Sequence, residues 1–256
     1  MKVANWLAAV MASFGLICGS GAAEAGQLTL YSTIGMRSVV DELVPQFEKA
    51  SGHKVNVTFG LGGALAKRVQ DGETPDVLIS TRAGIDGLVA GRKITSGNDA
   101  TLARSGIGIA VRKGTQRPDI STPDALKATL LAAKSISYSN PAAGGASGVH
   151  FGKVVERLGL TAALKDKTKH PAAGGSTGAM LASGDVELAV QQIAELLEVD
   201  GIVVVGPLPG DLQSITVFAA GIPTAAKEAA AAKDFIRFLQ TPDAVKVIKA
   251  KGLDPA

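Results

Sequence analysis

The sequence predicts an α/β protein built from two lobes that share a hinge. Apolar strand patterns alternate with amphipathic helix patterns from Leu28 onward, an order typical of mostly parallel sheets flanked by helices. The pattern enters a second lobe near residue 105 and returns near residue 215, so the chain crosses between the lobes twice. We therefore expect residues 26–105 and 215–256 to form lobe 1 and residues 106–214 to form lobe 2, with a ligand cleft at the two-segment hinge.

Residues 1–25 have the features of a cleavable signal peptide. Lys2 supplies a positive charge, residues 6–18 are largely apolar, and Ala23-Glu24-Ala25 has the small-x-small form that a signal peptidase cuts. The apolar run is shorter than the ~20 residues that a membrane-spanning helix needs. We expect the mature chain to start near Gly26 and to work in the periplasm.

The composition excludes several classes of function. The net charge of +3 argues against a nucleic-acid partner, and an aromatic content of 4% argues against a base-stacking or sugar-binding platform. The single cysteine, Cys18, lies in the expected leader, so the mature chain has no disulfide, thiol nucleophile or thiolate metal site. We expect a monomer without cofactor or metal.

In lobe 1, the spacing of the apolar residues distinguishes the predicted strands from the predicted helices. A strand over 28–31 ends in the polar loop 32–35, and a helix follows whose apolar stripe recurs at three- and four-residue steps, with Pro45 inside it. The members of the stripe are Met36, Val39, Val40, Leu43, Val44 and Phe47. The next predicted elements are a strand over 54–59, a glycine-rich loop over 60–63, a helix over 64–70, a strand over 77–80 and a weak helix over 83–90.

In lobe 2, small and branched residues alternate over 106–111, which predicts a buried strand. Thr122, Pro123 and Asp124 form a helix start, with an N-cap, a proline at the first position and an acid in the first turn. The remaining predicted strands are 135–139, 187–191, 202–205 and the return strand 216–219. The remaining predicted helices are one that ends at 158, then 178–182, 225–239 and a last one capped by Thr241.

Two strand ends in lobe 1 direct helix N-termini toward one place, which predicts an anion site. Unpaired N–H groups and the positive end of the helix dipole attract an anion, and small residues let it come close. We expect ligand contacts from Ser32, Thr33, Gly35, Gly62 and Gly63. Helix capping by the two hydroxyls and a tight turn at the glycines are the alternatives.

Arg37 lies in the first turn of the first helix, where a cation is electrostatically unfavourable. An anion bound beside it would explain its place, since a guanidinium binds a carboxylate through two hydrogen bonds. A solvated surface arginine is the alternative.

Lobe 2 offers a similar set of polar residues. Ser139 and Ser147 flank a glycine-rich loop before a helix, and a second such loop precedes Ser176 and Thr177. A pair of glutamines ends an apolar strand, so we expect one to face the cleft and the other the far side of the sheet. The expected contacts from this lobe are Ser147, Gly148, Ser176, Thr177, Gln191 and Gln192. Helix capping is again the alternative for the hydroxyls.

The histidines indicate no metal site. His150 lies on a predicted cleft helix, whereas His53 and His170 are expected in surface loops, and no second ligand stands at metal-binding spacing. No serine lies in a nucleophile elbow, and no Walker-type phosphate loop is present.

Three segments carry a resemblance to a known family. They are the strand, polar loop and helix over 28–49, the run Gly72-Glu73-Thr74-Pro75-Asp76-Val77, and the segment 153–159. Over nearly the whole mature chain the sequence resembles the periplasmic molybdate-binding proteins of ABC importers. The resemblance implies a type II periplasmic binding fold, an oxyanion held in the cleft by hydroxyls and N–H groups, and an ABC permease as partner.

The same family usually carries serines in the two loops of the first lobe and a tyrosine in the second. Those positions correspond here to Gly35, to 61–63 and to Gln192. The chain is also similar to aconitate isomerase, a periplasmic enzyme on the same scaffold, in Gln191-Gln192 and in 206–209. Two functions stay open: a solute-binding protein for a small oxyanion or carboxylate, and an isomerase that abstracts a proton from a tricarboxylate with His150 or Glu195 as base.

Overall fold

The structure is a computed structural model that describes residues 26–172 and 175–256. The expected signal peptide, residues 1–25, lies outside the described residues, as does Gly174 in the second glycine-rich loop of lobe 2. Across the described ranges, no helix combines the length and the apolar character that crossing a bilayer requires.

The first part of the chain alternates strands with helices. The strands are β1 (Gln27–Thr33), β2 (Lys54–Gly60), β3 (Val77–Thr81) and β4 (Ile94–Arg112). The helices are α1 (Arg37–Ser51), α2 (Gly62–Gln70) and α3 (Arg82–Ala90), and a 3₁₀ turn, Ile34–Met36, precedes α1.

The second part continues with shorter strands. They are β5 (Ile136–Tyr138), β6 (Thr168–Lys169), β7 (Leu188–Gln192), β8 (Ile202–Pro207), β9 (Ile215–Pro223) and β10 (Asp254–Pro255). The helices are α4 (Pro123–Ala132), α5 (Ala146–Arg157), α6 (Thr161–Leu164), α7 (Thr177–Ser183), α8 (Ile193–Leu197), α9 (Ala229–Leu239) and α10 (Pro242–Ala250). Three further 3₁₀ turns are Pro141–Ala143, Lys165–Lys167 and Gly210–Leu212.

The strands pair in the order β2-β1-β3-β9-β4-β7-β5-β6, and β8 and β10 also pair with β4. β1 is parallel to β2 and β3, and β5 is parallel to β6 and β7. β9 and β4 run antiparallel to their neighbours and join the two parallel groups. This α/β architecture confirms the predicted fold class.

β4 is longer than the sequence indicates, because it begins at Ile94 rather than at residue 106. Its first part pairs with β9, and its last part pairs with β7 and β8, so one strand runs through both groups. Residues 95–101 are mostly polar and at least partly exposed, so they lack the apolar alternation by which a buried strand is recognised.

The apolar core has two large clusters. One contains Phe47 and Phe235 and packs α1, α9 and α10 against β1, β3 and β9. The other contains Leu126 and Phe151 and packs α4 and α5 against β5, β7 and the end of β4. The division of the chain at residues 105 and 215 stays a prediction, under which these two cores belong to different lobes.

Asp76 joins the start of β3 to two distant segments. Its Oδ2 accepts hydrogen bonds from Thr29 N at 2.8 Å and from Thr29 Oγ1 at 2.7 Å. Its Oδ1 accepts from Lys227 N and Glu228 N, each at 2.9 Å, just before α9. Burial acts to raise the pKa of this carboxyl, but the four hydrogen bonds outweigh it and lower the pKa below its usual value.

The expectation that His53 lies in a surface loop is wrong. His53 is buried, its Nδ1 accepts a hydrogen bond from Gly26 N at 3.0 Å, and its ring stacks on Phe47. The turn between α1 and β2 is so short that the imidazole packs under the beginning of β1. His170 is exposed, as expected, and its Nδ1 lies 2.7 Å from Tyr138 O.

Candidate functional site

A small cavity lies where the ends of several strands meet between the two parallel groups. We call it the central cavity, and its volume is about 20 Å³, enough for about one water-sized group. The lining residues that matter below are Thr33, Gly35, Gly62, Ser139, Ser147, Gln192 and Glu195. Five of these seven are sequence-predicted ligand contacts, Glu195 is one of the two residues considered as a base, and Ser139 was expected to flank the same glycine-rich loop as Ser147.

Three hydroxyls of the central cavity lack a hydrogen-bond partner among the described residues. They belong to Thr33 at the end of β1, Ser139 after β5, and Ser147 in the first turn of α5. All three residues are more than nine-tenths buried. Every fully buried side-chain polar atom in the described ranges has a partner, so these hydroxyls reach the accessible space of the cavity. Thr33 makes no capping bond, so capping does not explain it.

Two helix N-termini approach the central cavity from opposite sides. Gly62 begins α2, and Ser147 lies in the first turn of α5. The first helical N–H bonds are Leu65 N to Leu61 O in α2 and Val149 N to Gly145 O in α5. The preceding N–H groups therefore have no partner within their own helix and add positive potential at the cavity.

Gly63 and Gly144 bring the two sides into contact at the rim of the cavity. Gly63 N donates a hydrogen bond to Gly144 O at 3.3 Å. A Cβ at Gly63 would lie 2.9 Å from that oxygen, closer than real Cβ atoms come. The N–H of Gly63, expected to bind ligand, is thus used in the contact between the two sides, and this contact needs a residue without a side chain.

Gly35 makes room for two side chains. A Cβ there would lie 2.7 Å from Phe218 Cζ and 3.6 Å from Glu195 Oε1. Any side chain at this position, including that of serine, would therefore collide with Phe218. Glycine is required here by the way the cavity is filled.

Gly148 is required for the packing of α5 against β5. A Cβ at this position would lie 2.1 Å from Ser139 O, so only glycine lets α5 approach the end of β5. The close approach holds Ser139 and Ser147 side by side at the central cavity.

Gln192 lines the central cavity and also joins β4 to β9. With its amide oriented so that both atoms are satisfied, Oε1 accepts from Thr216 Oγ1 at 2.6 Å. Nε2 then donates to Ser105 O at 3.1 Å and Gly106 O at 3.2 Å. The side chain is buried, and its polar atoms are occupied by residues of β4 and β9.

Gln191 and Thr177 support Glu195. Gln191 Oε1 accepts from Thr177 N at 3.0 Å and from Thr177 Oγ1 at 2.6 Å, and Gln191 Nε2 donates to Glu195 Oε2. Glu195 keeps part of its surface accessible at the cavity. Burial of its carboxyl raises the pKa to about 7, and the hydrogen bond from Gln191 opposes this rise only in part. A carboxyl with such a pKa can hold or release a proton near neutral pH.

Arg37 lies beside the central cavity rather than in it. It lines an adjoining pocket of about 270 Å³ that we call the side pocket, together with Asp41, Ser176, Glu195 and Glu198. The Arg37 side chain is exposed, and its Cζ lies 4.0 Å from the centre of the Phe59 ring. Ser176 Oγ caps α7 by accepting from Ala179 N at 3.2 Å.

Two sequence-predicted residues point elsewhere. Ser32 is buried in β1 and donates to Thr33 O at 3.3 Å, and alternation along the strand places it opposite Thr33. His150 Nε2 lies 2.8 Å from Leu212 O, and the residue lines neither the central cavity nor the side pocket. Of the two bases considered, Glu195 is therefore the one at the cavity.

The sequence interpretation missed Thr81 and Phe218, which also line the central cavity. Thr81 directly follows the buried residues of β3, just as Thr33 follows those of β1, so the same signal could have identified it. Phe218 lies within β9 and has no distinguishing local pattern. Within the described ranges, no group of three or more histidine, cysteine, aspartate or glutamate residues is arranged to hold a metal ion.

Comparison with protein families gives a match over almost the whole described chain. A family profile described as bacterial extracellular solute-binding protein matches residues 28–254. Aconitate isomerase from Pseudomonas sp is 32% identical over 234 residues, which are 89% of this chain and 87% of that protein. The molybdate-binding protein ModA of Azotobacter vinelandii is 29% identical over 239 residues, or 90% of this chain and 91% of that protein.

Solved structures of periplasmic binding proteins share the fold of this chain. The periplasmic molybdate-binding protein of Azotobacter vinelandii superposes with a TM-score of 0.70 over 88% of this chain and 98% of that chain, at 21% identity. At this identity the likeness concerns the fold alone. These matches confirm the family resemblance and the type II periplasmic binding fold.

Proposed function

Because the chain belongs to the bacterial extracellular solute-binding proteins, we propose that its central cavity binds a small anion for import. The observation that carries the proposal is the set of three buried, unpaired hydroxyls of Thr33, Ser139 and Ser147 between two helix N-termini. Donors without partners, at the positive ends of two helices, are what a desolvated anion requires.

The number of donors is adequate for useful affinity only if both sides contribute. Micromolar binding needs ~8 kcal/mol, and a hydrogen bond to a charged group contributes roughly 1.5–3 kcal/mol before ordering costs. Thr33 and the start of α2 lie on one side, and Ser139, Ser147 and the start of α5 lie on the other. Opening and closing of the cleft thus accompanies binding.

The volume of the central cavity favours a compact charged group. About 20 Å³ suits an oxyanion or a single carboxylate group after slight opening, rather than an entire tricarboxylate. The names of the relatives point to the same two chemistries, since one is a molybdate-binding protein and another is an aconitate isomerase.

We further propose that the protein acts as a monomer in the periplasm and delivers its ligand to an ABC permease. The support comes from the leader-like composition of residues 1–25 and from the family to which the chain belongs. The side pocket next to the central cavity can take the remainder of a carboxylate ligand that is longer than an oxyanion.

Anion binding is tested by a thermal-shift screen with molybdate, tungstate, sulfate, phosphate, citrate and both aconitate isomers, followed by titration calorimetry. We expect at least one anion to raise the melting temperature of the wild-type protein. Ser147→Ala and Thr33→Val should each weaken its binding by about tenfold or more, because each removes a hydrogen bond to a charged group.

Ser183→Ala is the matched control, since Ser183 is exposed at the end of α7 and bonds only to Met180 and Asp185. Its affinity should equal that of the wild type. If no anion shifts the melting temperature, or if the Ser147 and Thr33 variants bind like the control, the proposed site is wrong.

An isomerase is the second candidate, and the placement of Glu195 favours it. Its carboxyl lines both pockets, and its pKa of about 7 suits a base that removes a proton beside a carboxylate and returns it to another carbon as the double bond moves. The reaction needs no oxidant or cofactor, because one proton leaves and one is returned.

Proton NMR of cis-aconitate in D₂O tests the second candidate. An isomerase converts the substrate or exchanges its methylene protons for deuterium, and Glu195→Gln abolishes both changes because an amide cannot accept the proton. An unchanged spectrum at high wild-type concentration would eliminate the isomerase and leave the binding protein.

A further inference from the structure

Glu195 places an acidic group on the wall of a cavity that otherwise offers hydrogen-bond donors. Its Oε2 accepts from Gln191 Nε2, and Gln191 is itself held by Thr177. Its Oε1 lies near Gly35, where the absence of a side chain leaves room for the carboxyl and for Phe218. The carboxyl is thus held by the hydrogen bond from Gln191, whose own position is fixed by Thr177.

No cation neutralises this carboxyl among the described residues. Glu195 takes part in no ion pair there, and the elements around it contribute the neutral side chains Gln191, Thr177 and Phe218. Three charged side chains share the side pocket with it: Arg37 and Asp41 from α1, and Glu198 at the end of its own helix. Arg37 stacks on Phe59, and the other two are acids.

An ionised carboxylate cannot remain beside a bound anion without strong repulsion. Two neighbouring negative groups in a poorly solvated site avoid this by sharing one proton, so that one of them donates a hydrogen bond to the other. The proton can come with the ligand, or it can be taken up from solvent as the ligand binds.

We propose that Glu195 determines which anions the cleft accepts, by sharing one proton with the bound ligand. Anions that carry their own donor, such as hydrogen phosphate or a hydroxycarboxylate, bind to the ionised form of Glu195. Anions without a donor bind only together with one proton. The inference rests on the proposed anion site and adds a rule for its ligands.

Burial of the carboxyl supports this role, because it raises the pKa of Glu195 to about 7 before any ligand is bound. The sign of the pH dependence follows. Below about pH 7 the carboxyl of Glu195 already holds its proton and donates a hydrogen bond to the anion. Above about pH 7 the carboxyl must take up a proton from solvent when the anion binds, so the affinity falls as the proton concentration falls.

The test uses titration calorimetry with molybdate, sulfate and cis-aconitate, which carry no donor at pH 8, between pH 6.5 and 8.5. For whichever of them binds, the wild-type affinity should fall by about tenfold for each pH unit above about 7. Titrations at pH 8 in two buffers with different ionisation enthalpies should show uptake of about one proton.

Glu195→Gln replaces the carboxyl by an amide that always carries a donor, so the variant should bind the same anion equally well at pH 6.5 and 8.5. Glu156→Gln is the matched control, because Glu156 is exposed on α5 and lines neither pocket. Its pH dependence should equal that of the wild type.

The outcomes separate this inference from the proposed function. If an anion binds and its affinity is independent of pH in the wild type, or falls equally in Glu195→Gln, the inference is overturned while the binding function stands. If none of the anions in the earlier screen binds at any pH, the proposed function is overturned and the inference with it.

Discussion

Replacing Gly63 by valine should lower the affinity for the bound anion by about 100-fold or more and leave the stability of the unliganded protein nearly unchanged. The valine side chain would occupy the space of Gly144 O, which lies 2.9 Å from the position of a Cβ at Gly63. The two sides of the cleft would then be held apart, and the anion would lose at least two charge-assisted hydrogen bonds, at roughly 1.5–3 kcal/mol each. Calorimetry measures the affinity, and small-angle X-ray scattering measures the compaction that ligand causes in the wild type.

Gly87→Val is the control for this variant. Gly87 is likewise helical, but no atom outside its own helix lies within 4 Å of a Cβ built there. The control should bind and compact like the wild type. Wild-type affinity in Gly63→Val would mean that the contact between Gly63 and Gly144 is not part of the ligand-bound state.

Replacing Asp76 by alanine should destabilise the protein by about 3 kcal/mol, the largest stability effect that we expect from a single polar residue. Three backbone N–H groups and one hydroxyl, from Thr29, Lys227 and Glu228, would lose their acceptor. For a chain of this size the loss corresponds to a fall in melting temperature of roughly 10 °C. Differential scanning calorimetry of the unliganded variant measures it.

The effect depends on pH with a defined sign. The pKa of Asp76 is lower in the folded state than in the unfolded chain. Its contribution to the free energy of unfolding is therefore fully present at pH values above the unfolded-state pKa, and it is lost as the pH falls through the folded-state pKa. The difference between wild type and variant should therefore shrink below about pH 4. Asp71→Ala is the control: Asp71 is exposed, pairs with Lys67, and its loss should change stability by less than ~0.5 kcal/mol. An equally small change in Asp76→Ala would contradict this account.

The part of the site that could be predicted from sequence lies at the ends of parallel strands. Thr33 is the last residue of β1 and Gly62 follows β2, and the parallel pairing of these strands brings both residues to one edge of the sheet. Ser147 was predicted from a glycine-rich loop before a helix. In all these cases a local pattern is sufficient, because strand direction determines where the following residue lies.

The residues that sequence could not place are those whose roles depend on distant contacts. His150 looks like a cleft residue because it lies on the right helix, yet its ring turns to Leu212, 62 positions away. Phe218 enters the cavity only because β9 returns beside β4. Arg37 lies two positions after Gly35, which lines the central cavity, but its side chain stacks on Phe59 and lines the side pocket instead.

The fold was easier to predict than the site, because periodicity identifies most helices and strands by themselves. The polar first part of β4 is the exception. It is held by its pairing with β9, in which Ile94 lies opposite Pro223 and, after a shift in register, Asp99 lies opposite Gly221, and not by burial of alternate residues. The sequence of such a strand shows no apolar periodicity from which the strand could be predicted.

The most direct test of the central claim is a crystal structure of the mature protein grown with the anion that stabilises it most in the screen. Our account predicts the anion in the central cavity, with the hydroxyls of Thr33 and Ser147 both within about 3 Å of its oxygens. An anion bound to one side of the cleft alone, or at a place that touches neither hydroxyl, would contradict it.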